Sequence, residues 1–153
     1  MSESASIQMT IPNLTAMEAL ARRTAERVRP GDAILLEGPL GAGKTAFARA
    51  FLRALTGTPD LEVPSPTFTL VQSYDTARGP VHHFDLWRLS GPDALVELGW
   101  DDALADIVMV EWPERLGDER PGDALSIVIA LGQNSGDDDA RVVTLSGWPG
   151  RVP

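Results

Sequence analysis

"AILLEGPLGAGKTAFARAFLRAL", residues 33–55, holds the only lysine of a 153-residue chain; twelve of its thirteen basic residues are arginine. The stretch divides into three pieces. "AILLE" is a short apolar run, the pattern of a buried strand. "KTAFARAFLRAL" repeats apolar residues at helical spacing, and Gly57 follows as a C-cap. Between them, Gly38-Pro39-Leu40-Gly41-Ala42-Gly43-Lys44-Thr45 matches G-x-x-x-x-G-K-[ST] at every position. Strand, glycine-rich loop and helix in that order is the setting in which this motif cradles phosphate.

Each residue type has a physical reason to be there. Glycines at 38, 41 and 43 permit tight dihedrals and let backbone N–H groups approach an anion. The helix that follows turns its positive end toward the same point. Lys44 offers a compact charge on a flexible stem, where the wide fork of arginine would not fit. Thr45 offers a hydroxyl to Mg²⁺. Nucleotide binding is the expectation.

Working outward, residues 14–28 read as an amphipathic helix, with Leu14, Met17, Leu20, Ala21 and Val28 on one stripe. Thr15 and Glu18 are spaced as a capping box. "TFTLVQSY" and "VHHFDLW" alternate as strands, residues 92–98 suggest a short helix with proline in its first turn, and "DIVMVEW" is apolar on both faces, like a central parallel strand. "ALSIVIAL" and "ARVVTLS" read as a hairpin around an acidic tip. The expected fold is α/β: a single P-loop NTPase-like domain over residues 1–153. Its central sheet is mostly parallel, with antiparallel additions, a C-terminal hairpin and helices on both faces; residues 1–9 and 147–153 are expected to be flexible tails.

Composition narrows the partners. The net charge is −9 and no basic cluster exceeds the pair Arg22-Arg23, so a direct grip on nucleic acid is not expected. There is no cysteine, hence no disulfide framework or thiolate metal site. No apolar run approaches a membrane span and the N-terminus lacks the pattern of a signal peptide, so the expected location is the cytoplasm.

Two carboxylates fall where an α/β sheet places its ligand crevice, at the C-terminal ends of strands: Asp85 after "VHHF" and Glu111 after "DIVMV". Either suits a metal or the orientation of a nucleophile, and either could instead cap a helix or pair with Arg88 or Arg115. In "VPSPTFTL", Ser65, Thr67 and Thr69 offer hydroxyls that could sense a γ-phosphate, or simply enter a strand. His82 and His83 are neighbours in a strand and must face opposite sides.

Taken together, "GPLGAGKT", "SPTFTLVQSY", "HHFDLWRL" and "VEWPERL", in this order, resemble the bacterial TsaE family of small P-loop ATPases, over roughly residues 10–146. That family acts in the synthesis of threonylcarbamoyladenosine in tRNA. The resemblance implies ATP as substrate with Mg²⁺, and action beside TsaB and TsaD, with TsaD carrying the transferase centre and tRNA met only through these partners. It implies a nucleotide cradle of Leu40, Gly41, Ala42, Gly43, Lys44, Thr45 and Ala46. Lys44 is then the phosphate lysine, Thr45 a magnesium ligand, Thr67 part of a switch-like loop, and Asp85 and Glu111 the acids of metal binding and hydrolysis. Trp112 matches the family tryptophan near nucleotide, and Leu14 aligns loosely near the base. Trp87 stands where tyrosine is commoner, and Ala46 where a second hydroxyl is frequent. An arginine finger is not evident, which implies slow hydrolysis alone and faster turnover with partners. The competing readings are a nucleotide-dependent binding switch and a small-molecule kinase; the latter lacks a lid-sized insertion bearing arginines.

Overall fold

In the computed structural model, residues 6–39, 41–64, 70–132, 140–149 and 151–153 are described. Seven strands form one sheet: β1 (Ile7–Ile11), β2 (Ala33–Glu37), β3 (Val71–Thr76), β4 (Gly79–Asp85), β5 (Ile107–Glu111), β6 (Leu125–Leu131) and β7 (Arg141–Ser146). Their spatial order is β1-β7-β6-β2-β5-β4-β3. The four central strands, β6-β2-β5-β4, run parallel, while β1, β7 and β3 add antiparallel edges. The parallel centre follows from composition: β2 is apolar at four successive positions and β5 is buried throughout, as strands covered on both faces must be. The C-terminal hairpin is β6 with β7.

One face carries the two long helices, α1 (Leu14–Arg27) and α2 (Lys44–Thr56). Their stripes, including Met17, Leu20, Phe47 and Phe51, close over Ile34, Leu36, Met109 and Ile127 of the sheet. The other face is covered by shorter pieces: 3-10 helices Pro92–Leu98 and Pro113–Glu119, and α3 (Trp100–Ala103). There Trp100 meets Phe84 edge-on, ring centroids 5.1 Å apart, above Leu35, Val108 and Val110.

Two local expectations need correction. The cap of α1 is Asn13 rather than the Thr15–Glu18 box: its backbone is extended and its Oδ1 accepts from Ala16 N at 2.9 Å. Neither end of the chain is a loose tail throughout. Residues 7–9 lie in β1, paired with β7. Near the C-terminus Trp148 is buried, and Arg151 grips Asp32 with two hydrogen bonds (2.9 and 3.1 Å) and donates to Arg27 O. The bidentate guanidinium–carboxylate pair and the buried Trp148 ring together tie this segment to the body.

The parallel register brings the site together. Glu111 stands opposite both Leu36 of β2 and Asp85 of β4, so the ends of three adjacent strands open on one edge of the sheet.

Candidate functional site

The chain leaves β2 at Glu37 and enters the loop at Gly38, whose φ is +158°. A Cβ on Gly38 would stand 2.6 Å from the carbonyl oxygen of Ile129 on β6, so only glycine lets the loop pass this close to the neighbouring strand. Gly43 caps α2 in the left-handed region, φ +115°. The first bond of α2 runs from Phe47 N to Gly43 O at 2.9 Å, so the helix ladder does not use the N–H groups of Lys44, Thr45 and Ala46. With the macrodipole behind them, these N–H groups are placed as an anion site would require.

Lys44 opens this helix and is 5% exposed. Its ammonium donates to Gly38 O and lies 3.5 Å from the ring centroid of Trp112. Burial pushes it below the usual lysine value, and the charges of Glu111, Glu114 and Asp85 pull it part of the way back.

The facing wall comes from β4 and β5. Glu111 is buried and its Oε2 lies 2.7 Å from Nε2 of His83, which is fully buried. A carboxylate accepts, so the ring nitrogen donates, and the bond fixes how Glu111 is turned. Asp85 accepts from Trp87 N at 3.1 Å, which turns the chain after β4 and brings Trp87 to 4.4 Å from Trp112, centroid to centroid. Trp112 itself is left-handed (φ 60°, ψ 52°), a conformation that costs a non-glycine residue on the order of 1–3 kcal/mol. That strained turn carries its ring over Lys44.

These groups enclose a pocket of about 390 Å³, with Lys44, Thr45, Asp85, Arg88, Glu111 and Trp112 on its walls. A second hollow of about 240 Å³ lies along the same loop and shares Gly43 and Ala46; Asn13, Leu14, Ala42 and Arg141 are among its other lining residues.

Known proteins match this chain. A model of the family described as "Threonylcarbamoyl adenosine biosynthesis protein TsaE" matches residues 11–141. The chain belongs to the TsaE family. It is 36% identical over 127 residues to the "tRNA threonylcarbamoyladenosine biosynthesis protein TsaE" of Bacillus subtilis, covering 82% of this chain and 76% of that one. Against the protein of the same name from Rickettsia felis the identity is 37% over 107 residues, 69% of this chain and 62% of the relative. For Rickettsia conorii the figures are 40% over 96 residues, 62% and 54%. The chain thus spans less than two thirds of the Rickettsia felis and Rickettsia conorii relatives. The fold is that of the Bacillus protein YdiB, with TM-score 0.71 and 28% identity over 96% of this chain and 88% of that crystal structure.

In this TsaE-family chain, the structure gathers Gly41, Gly43, Lys44, Thr45, Ala46, Asp85, Glu111 and Trp112 around one pocket. Ala42 and Leu14 line the neighbouring hollow instead. Leu40 and Thr67, with the rest of residues 65–69, lie outside the described residues. Of the two candidate arginines, Arg88 reaches the pocket wall and Arg115 does not. Sequence reasoning named Trp87 only as a departure from the commoner tyrosine and His83 only as a strand neighbour of His82, and it missed Arg141. Alternation could have flagged His83, because Val81, His83 and Asp85 share one face of β4.

Thr45, Asp85 and Glu111 offer only hard oxygen donors. Among the described residues, no group of three or more His, Cys, Asp or Glu could hold a metal with protein ligands alone. That donor set fits Mg²⁺, which takes one or two carboxylates and completes its shell with phosphate oxygens and water.

Proposed function

We propose that this chain binds Mg-ATP at the head of α2 and hydrolyses it in support of threonylcarbamoyladenosine formation in tRNA, working beside TsaB and TsaD. Supporting the reading is the convergence of Lys44, the N–H groups that the ladder of α2 does not use and the His83-held Glu111 on one pocket. The amides and Lys44 take the β- and γ-phosphates, and Thr45 with Asp85 or Glu111 would hold the magnesium. The chemistry Mg²⁺ supplies there is neutralisation of charge on the phosphate oxygens. The oxygen of a water attacks the γ-phosphorus, the bond to the bridging oxygen breaks, and ADP leaves. Glu111 orients that water and draws off its proton.

Reciprocal burial of the water calls for a group that closes the open side. Arg88 on the pocket wall is the candidate cation within the chain; docked partners supply the rest. The family name supports the tRNA pathway, and the negative charge of the chain supports a protein-mediated rather than direct contact with tRNA. A cytoplasmic location is part of the same proposal; among the described residues no helix is long and apolar enough to cross a membrane.

Steady-state phosphate release, measured alone and with the TsaB–TsaD pair, tests this. Slow turnover alone, stimulation by the pair and a loss of about 10²-fold or more in Glu111→Gln are expected, the range set by removal of a general base. Equal rates with and without the pair, or an undiminished Glu111→Gln rate, contradict it.

A further inference from the structure

We infer that Arg141, at the start of β7, is a positioning residue that orients the peptide planes of the phosphate loop. The inference rests on the nucleotide reading of that loop and names a residue the motif does not contain.

Arg141 sits on a rigid base. It pairs with Leu131 on one side and Ile11 on the other, so three strands hold its backbone. From there its side chain reaches across about a hundred residues of sequence. Nε donates to Ala42 O at 2.9 Å, Nη2 donates to Gly41 O at 3.2 Å, and Nη1 donates to Ala140 O at 2.9 Å.

A trans peptide points its C=O and N–H in opposite directions. Drawing Gly41 O outward therefore turns the N–H of Ala42 inward, where it donates to Pro39 O at 3.1 Å and closes the loop on itself. Drawing Ala42 O outward turns the N–H of Gly43 to the side away from Arg141, next in sequence to the amides that the ladder of α2 does not use. Without the guanidinium, both carbonyls could rotate toward the site, and each would bring a partial negative charge to a place built for phosphate. The planar fork of arginine satisfies two carbonyls in one geometry, which a lysine ammonium does not reproduce. Arg141 also lines the smaller hollow beside Leu14, along the same loop.

The test uses the full chain with Arg141→Met and Arg141→Lys. Two readouts are taken: the ¹H–¹⁵N signal of the Gly43 amide in the protein alone, and calorimetric titration with Mg-ADP and Mg-ATP. Arg141→Met is expected to move the Gly43 signal while amides of α1 stay in place, and to weaken both nucleotides by at least about tenfold, the loss of one charge-assisted hydrogen bond. Arg141→Lys is expected to move the same amide and to recover only part of the affinity. Should Arg141→Met fail to fold, Arg141→Lys carries the amide readout. An unmoved Gly43 amide with affinity within twofold of the parent overturns the inference, as does full recovery by lysine. If the parent itself binds neither nucleotide, the functional proposal fails, while the amide signal still decides the role of Arg141.

Discussion

Lys44 combines function and cost in a single side chain. Its ammonium is buried beside an aromatic ring, and desolvation lowers its affinity for a proton more than Glu111, Glu114 and Asp85 restore it. Between that lowered folded value and the unfolded lysine value of 10.5, the native state holds fewer protons than the unfolded chain, so stability rises with pH across that window. At neutral pH the charge is carried at a penalty. Lys44→Met, of similar length and apolar, is expected to raise the thermal midpoint at pH 7, because the desolvation penalty on the ammonium is removed. The variant should also lose the rise toward high pH. A midpoint at or below that of the parent in calorimetric scans would show that the Trp112 contact outweighs desolvation. The identity of this residue was open to sequence reading because a motif specifies it. The orientation of Glu111 was not: it depends on His83, 28 positions away, and on a register that only the folded sheet supplies. The left-handed turn at Trp112 left no sign in the sequence either, since neither glycine nor asparagine marks it.

At the scale of elements, periodicity carried most of the description. The apolar runs of β2 and β5 and the stripes of α1 and α2 lie where pattern and burial both require them. Ends were harder to read, because a cap is decided by one hydrogen bond and several nearby residues can offer it. Asn13, Thr15 and Glu18 all lie within reach of the α1 N-terminus, and the backbone selects Asn13 because that residue alone is extended just before the first helical turn. Asn13→Ala is expected to cost about 1 kcal/mol in urea unfolding. Thr15→Ala is expected to stay within about 0.5 kcal/mol of the parent, as an exposed substitution away from the cap should. The reverse order would restore the capping box. His82 shows the same limit at the other face of β4. Alternation predicts that it points away from His83, and it does, but its bonds to Ser73 (2.7 Å) and Asp106 (2.9 Å) depend on strand pairing.

Across the whole molecule, the parallel centre of the sheet makes the site and the antiparallel additions support it. The β6–β7 hairpin was legible as a hairpin, yet nothing local indicated that Arg141 at its base would hold the phosphate loop. Residues 1–9 and 147–153 were expected to be flexible tails, as the ends of a domain often are. Instead β1 extends the sheet, and Arg151 with Trp148 pins the C-terminal segment to the turn after α1 through Asp32. These ties are tertiary, made between segments more than a hundred residues apart, and local composition does not encode them. A chain of net charge −9 gathers a lysine, an arginine and helix-terminal amides on one pocket beside the carboxylates of Asp85 and Glu111, the arrangement on which the proposed binding of Mg-polyphosphate rests. Calorimetric titration of the chain and of Lys44→Ala with Mg-ATP tests that most directly. The parent should bind with one-to-one stoichiometry and Lys44→Ala at least about tenfold more weakly, since a hydrogen bond to a charged group is lost; equal affinity in the two would contradict the account.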